Sequence, residues 1–179
     1  MATKTIDRTY MDSCFFIDMA KGELGKQPLT EDRKKDVWYL RRLCDASING
    51  DIEIITSTLV IAECLHVGDG FIDETVRDLF EKYLTSGRIV KPVDAGYFIA
   101  IDARDLYWKR QILLSGADAV HVATALKTNC LEFITTDDKI NKKSKFTAAI
   151  PLIESAGLRV IRGSETRLLP SQYRQGELR

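Results

Sequence analysis

The amino-acid sequence predicts an α/β domain, a three-layer sandwich in which a small, mostly parallel central sheet is flanked by helices. Two observations carry this reading. Short β-rich runs alternate with helical periodicities along nearly the whole chain, the pattern of strands joined by crossover helices. The length, 179 residues with 45% hydrophobic and 29% charged side chains, suits one ordinary buried core.

Residues 9–12 read as a short strand that runs into a turn at Ser13 and a helix through CFFIDMA. Thr30 is placed to cap a long helix, and the acids of its first turn, Glu31 and Asp32, suit the positive end of the helix dipole. Val37, Leu40, Leu43, Cys44 and Ile48 follow at helical spacing, and Asn49-Gly50 closes the helix. Residues 52–56 are a β-rich run stopped by Ser57-Thr58, after which residues 59–67 read as helical. Asp73 is placed to cap a helix carrying Val76, Leu79, Phe80, Tyr83 and Leu84 and ending at Gly87. Residues 88–90 make a short strand candidate closed by Pro92. Residues 94–114 read as a long helix with Phe98, Ile99, Leu106 and Tyr107 inward. Gly116-Ala117-Asp118 opens another helix, packed through Ala119, Val122, Ala123 and Leu126. Residues 131–135 read as a buried strand and residues 158–161 as the last one. One domain over residues 1–163, followed by a polar tail over residues 164–179, is the economical division.

The 26 basic and 26 acidic residues cancel, so the strong positive charge of a non-specific nucleic-acid binder is missing. Any nucleic-acid contact must rest on a local patch. Cys14, Cys44, Cys64 and Cys130 form no CxxC pair and sit among apolar neighbours, which reads as small buried side chains rather than a zinc site. No segment is apolar enough to span a bilayer, and a reducing cytoplasm is the expected compartment.

The informative feature is where the acids stand. Asp12 ends the first strand, Glu63 lies on the helix after the second, Asp118 opens a helix after a glycine turn, and Asp137 lies just beyond the strand ending at Thr135. In open parallel sheets, ligands bind outside the carboxyl ends of the strands, near a switch in strand order. Four distant acids could thus converge on one rim. Two unit charges about 4 Å apart repel by roughly 4 kcal/mol at an effective dielectric near 20. Such a cluster stays ionised only with a cation, or else some pKa values rise. Carboxylate oxygens favour Mg²⁺ or Mn²⁺ over zinc. With 26 acids in the chain, solvated surface carboxylates remain the alternative at this point.

Four blocks together resemble a known family. Tyr10-Met-Asp12-Ser13 is similar to the opening strand and turn of PIN-domain nucleases, and Ser57-Thr-Leu-Val-Ile-Ala-Glu63 to their second motif. Gly116-Ala-Asp118-Ala-Val-His121-Val-Ala resembles the third closely, and Phe133-Ile-Thr135-Thr-Asp137 the fourth. Among family members the VapC-like toxins are the most similar. The resemblance implies a metal-dependent endoribonuclease using Mg²⁺ or Mn²⁺, with RNA as substrate, a small antitoxin as partner, and a homodimer. It makes Asp12, Glu63, Asp118 and Asp137 the catalytic set, with Asp12, Asp118 and Asp137 as metal ligands. Thr135 and Ser13 take the motif hydroxyl positions, where a simple cap or turn role is equally open. A housekeeping RNA-processing nuclease and an inactive PIN-like binding module are the alternatives.

Asp138 reads as a cap or a water-mediated helper beside Asp137. Lys139, Lys142 and Lys143, with Lys145, are either contacts for RNA phosphates or a solvated lysine run. His66 and His121 each stand three residues after an acid, the spacing of di-iron bundles, but the strand alternation contradicts a four-helix core. His121 reads as a packed or site-edge residue and His66 as a helix-end residue.

Overall fold

In the computed structural model, which describes residues 5–25, 29–67, 74–136 and 144–176, five strands pair in one all-parallel sheet. They are β1 (Arg8–Met11), β2 (Glu53–Ser57), β3 (Val90–Val93), β4 (Glu132–Ile134) and β5 (Arg159–Ile161), in the order β3-β2-β1-β4-β5. The α-helices among the described residues are α1 (Ser13–Leu24), α2 (Glu31–Ile48), α3 (Thr58–Glu63), α4 (Glu74–Phe80), α5 (Tyr97–Arg110), α6 (Gly116–Lys127) and α7 (Lys145–Ser155). The chain therefore forms the three-layer α/β sandwich that its alternation predicts.

Neighbouring residues of a strand point to opposite faces, and here both faces are apolar. Met11, Ile54 and Ile134 pack with Phe15 of α1, Leu40 of α2 and Phe80 of α4 in one core layer. Their neighbours Tyr10, Ile55 and Phe133 pack with Ile99 of α5, Val122 of α6 and Ile153 of α7 in the other. Tyr10 pairs with Phe133 across the β1–β4 ladder, and their rings stack at 4.9 Å between centroids.

Several element boundaries differ from the sequence expectation. Residues 59–67 do not form one helix, since α3 ends at Glu63, Cys64 leaves helical geometry (φ −81°, ψ 65°) and Leu65 is 63% exposed. A short helix persists only where packing receives its apolar side chains, and Leu65 finds no such surface. β3 runs through Pro92 instead of closing there. It is an edge strand, where proline's missing N–H is tolerated. α5 stops at Gln111, which adopts a left-handed conformation (φ 57°). Its inner face is Ile99, Ala103 and Leu106. Phe98 and Tyr107 fall to either side of that stripe and are exposed. α4 continues as a π-helical turn over Glu81–Thr85, and its expected cap Asp73 lies outside the described residues.

α7 was not anticipated. Ser144 Oγ accepts the Thr147 N–H at 3.0 Å to start it. Pro151 removes one backbone donor inside the helix, but Phe146, Ala149 and Ile153 bury its inner face. After β5 the chain is tied to α2. Asp36, 1% exposed, accepts Arg162 Nε and Nη2 at 2.9 and 2.7 Å on one oxygen, and Ser164 N–H and O–H at 2.9 and 2.7 Å on the other. Gly163 permits this approach, because a Cβ there would stand 3.0 Å from the Asp36 carbonyl oxygen. Glu132 accepts from Arg159, the Thr166 hydroxyl and the Arg167 N–H, and Leu169 is buried.

The strand order positions the site. From β1 the chain steps outward to β2 and β3, then crosses back to place β4 on the other side of β1. The direction of winding thus reverses between β1 and β4, at the strand ends that lead into Asp12 and Thr135.

Candidate metal centre

Asp12 follows the last residue of β1 and caps α1. Its Oδ1 accepts the Ser13 N–H at 2.7 Å, and its Oδ2 accepts the Thr135 hydroxyl at 2.9 Å. The Cys14 thiol lies 3.7 Å from the same Oδ2. Strand pairing explains the meeting: β1 and β4 are neighbours, and the Asp12 N–H bonds to the Ile134 carbonyl. Burial and the Asp12 charge push the Cys14 thiol well above its ordinary pKa, so it stays a neutral thiol.

Glu63 is the last residue of α3. Ser57, at the end of β2, caps that helix through Oγ, which accepts the Leu59 N–H at 3.2 Å. His121 lies one turn after Asp118 on α6 and is 3% exposed. Its Nε2 stands 3.2 and 3.1 Å from the two Glu63 carboxylate oxygens. Its Nδ1 faces the Tyr10 hydroxyl at 2.7 Å and Ser57 Oγ at 3.2 Å.

Asp12, Glu63 and His121 each offer a ligand atom, all within 4.8 Å of one another. Burial pushes the Glu63 carboxyl up, but the hydrogen bonds and charge of His121, helped by Ser13, outweigh it and hold its pKa below the usual value. Burial pushes the His121 pKa down, but the Glu63 hydrogen bond and the charges of Asp12, Glu63 and Asp118 raise it overall. Burial pushes the Tyr10 hydroxyl far up, so it remains protonated.

Among the sequence-predicted residues, Asp12, Glu63, Ser13 and Thr135 thus meet at one rim. Asp118 is half-buried in the first turn of α6, held by the Ser115 hydroxyl at 2.6 Å, and its charge acts on His121. Asp137 lies outside the described residues, as do Asp138, Lys139, Lys142 and Lys143. His66 is exposed just beyond α3. Tyr10 and Ser57 stand in the motif blocks but are not among the site residues read from sequence, and His121 is read there as a packed or site-edge residue. The available signal was the shared helix face of Asp118 and His121.

The fold and site define a parallel α/β domain with a carboxylate cluster at the switch point of its sheet. The PIN domain family model matches residues 28–145, and the chain belongs to the PIN-domain family. PIN domains are generally nucleases, and PIN nucleases typically use divalent metal ions. Among solved structures, the chain is similar to one in the crystal structure of FitAcB from Neisseria gonorrhoeae. The two are 16% identical with a TM-score of 0.48, over 88% of this chain and 99% of that one. No curated protein matches the chain. No helix among the described residues is long and apolar enough to cross a membrane.

Proposed function

We propose that this protein is a divalent-metal-dependent endoribonuclease that hydrolyses RNA phosphodiester bonds, and that it acts as the toxin of a type II toxin–antitoxin pair. The observation that carries the nuclease reading is the meeting of Asp12 and Glu63 beside His121 at the switch point of a PIN-family sheet. The donor chemistry fits a hard cation, because the acidic members offer oxygen ligands of the kind that Mg²⁺ and Mn²⁺ prefer. Asp12 with Glu63, Asp118 and Asp137 would hold the ion, which supplies charge neutralisation at the phosphate and a water made acidic enough to attack.

The chain's own groups do the positioning. The Ser13 N–H and the Thr135 hydroxyl fix the two Asp12 oxygens. The Ser115 hydroxyl fixes Asp118 in the first turn of α6. Lys139, Lys142 and Lys143 are the proposed contacts for RNA phosphates. The VapC-like pattern of the four motifs supports the toxin role, with a small antitoxin as partner, a homodimer as the working form and the cytoplasm as its place.

Incubation of labelled tRNA and rRNA with Mn²⁺ tests the chemistry, with Asp118→Asn as the control. The expected result is endonucleolytic cleavage by the wild type and a loss of at least a hundredfold in the variant. Equal cleavage by both, or none by either across several metals, sinks the nuclease reading and leaves a binding module. Growth arrest on expression of the protein alone, relieved by a co-expressed neighbouring small protein, is the expected mark of a toxin. Unimpaired growth would point instead to housekeeping RNA processing.

A further inference from the structure

We propose that His121 is the positioning residue for Glu63 and not a ligand of the metal, and that Tyr10 and Ser57 fix it in that role. The inference rests on the metal-dependent reading above and names which group of the site orients which. By distance alone His121 is a candidate ligand, since its ring nitrogen lies in the same 4.8 Å cluster as Asp12 and Glu63. Hydrogen-bond accounting decides otherwise.

The Tyr10 hydroxyl oxygen accepts the Ser57 N–H at 3.1 Å, and the Ser57 hydroxyl oxygen accepts the Leu59 N–H at 3.2 Å. Each hydroxyl thus has one acceptor position filled by a backbone amide and keeps a proton that it can donate. Both point at Nδ1 of His121, Tyr10 at 2.7 Å and Ser57 at 3.2 Å. The Glu63 carboxylate only accepts, so the nitrogen beside it carries the hydrogen, and in the neutral ring Nδ1 is left to accept from a hydroxyl while that hydrogen is on Nε2. A charged ring carries one there as well. In either state Nε2–H donates to the carboxylate of Glu63, shared between its two oxygens at 3.2 and 3.1 Å. A nitrogen that bears this hydrogen has no lone pair for a cation, and Nδ1 is turned into the protein against Tyr10.

The result is a chain of hydrogen bonds, from the backbone amide of Ser57 through Tyr10 and His121 to Glu63. The links up to His121 are buried. Tyr10 is fully buried and stacked on Phe133, and His121 is held on α6. Glu63, by contrast, ends a six-residue helix, with a side chain 29% exposed. A carboxylate in that place needs an external clamp to present the same oxygens to an ion each time. Carboxylate-orienting partners of this kind typically change metal affinity or activity by about 10- to 100-fold when removed.

The chain has two histidines, the exposed His66 and the buried His121, so a nitrogen-15 spectrum of histidine-labelled protein contains two rings that separate readily. The expected spectrum shows a retained Nε2 proton on His121 that survives addition of Mg²⁺. Loss of that proton on adding Mg²⁺ would make His121 a ligand and overturn the proposal. In calorimetric Mn²⁺ titrations, His121→Leu should weaken binding about 10- to 100-fold. His121→Gln, which keeps an N–H donor at the Nε2 position, should restore most of the loss. The pair His121→Leu with Glu63→Gln should bind no more weakly than Glu63→Gln alone, because the clamp acts only through Glu63. Independent, multiplying losses would overturn it.

Tyr10→Phe keeps the ring stack while removing the hydroxyl, and should give an intermediate loss even if His121→Leu fails to fold. Wild-type affinity in that variant counts against the proposal. Failure of the wild type to bind Mn²⁺ sinks the metal-dependent reading instead, and the hydrogen bond from His121 Nε2–H to Glu63 is then judged by the spectrum.

Discussion

Thr135→Val removes the hydroxyl that bonds Asp12 and lies 3.7 Å from the Cys14 thiol. Thr135 is fully buried, and its hydroxyl donates to Asp12 Oδ2 at 2.9 Å. Valine has nearly the same shape, so the substitution removes the donor without opening a cavity. A hydrogen bond to a charged group contributes about 1.5–3 kcal/mol. At about 1.4 kcal/mol per tenfold, the expected loss in Mn²⁺ affinity is roughly 10- to 150-fold. The range of about 10- to 100-fold measured for partners that orient metal ligands agrees with it. Global stability should change little, within about 1 kcal/mol or 2–4 °C for a chain of this size, because the Asp12 carboxylate keeps its bond to the Ser13 N–H. Calorimetric titration with Mn²⁺, alongside thermal melting, reads both numbers. Thr135→Ser keeps the donor and should keep the affinity. A Thr135→Val protein that folds normally and binds Mn²⁺ as tightly as wild type would refute the claim that this hydroxyl orients the carboxylate.

Mn²⁺ at about a hundred times its dissociation constant should stabilise the fold by roughly 2.7 kcal/mol, a rise in Tm of about 5–11 °C. EDTA should abolish the rise, and Asp12→Asn should show none. Removing one partner of a buried ion pair costs about 3–5 kcal/mol, so Asp36→Ala, which takes the Asp36 carboxylate away from Arg162 and Ser164, should lower Tm by roughly 6–20 °C. The added change Arg162→Met should recover part of that loss, and a further drop would contradict the pairing. Asp18 is 2% exposed, and burial raises its pKa despite Arg33 at 3.0 Å and Lys21 at 3.8 Å, with Asp36 adding to the rise. Stability from such a carboxyl is full below the ordinary carboxylate value near pH 4 and is lost as pH climbs through the raised one. Thermal melts from about pH 4 to neutrality should therefore show Asp18→Asn gaining on the wild type, and the opposite trend would refute it.

The sheet was legible because strand periodicity and burial are local properties. The pairs Tyr10 and Met11, Ile54 and Ile55, and Phe133 and Ile134 are apolar on both faces of a strand, which only a sheet covered on both sides accommodates. α2 was legible from its Thr30 cap, which accepts the Arg33 N–H, and from its apolar stripe. α7 carries Pro151, whose local penalty is offset by the distant surface that receives Phe146 and Ile153. Phe98 and Tyr107 were assigned inward from hydrophobicity alone, and the face geometry of α5 places them outside.

By itself the sequence determined that acids stand at strand ends and helix starts, because caps, turns and alternation act over a few residues. It could not decide which groups touch. The bond from Thr135 to Asp12 joins residues 123 apart, and that from Tyr10 to His121 residues 111 apart. Those contacts exist because β4 is inserted beside β1 and α6 packs over β1 and β2, choices made by the burial of two whole core layers. The tertiary structure also gave His121 its bond to Glu63, since a histidine's role depends on what each ring nitrogen faces.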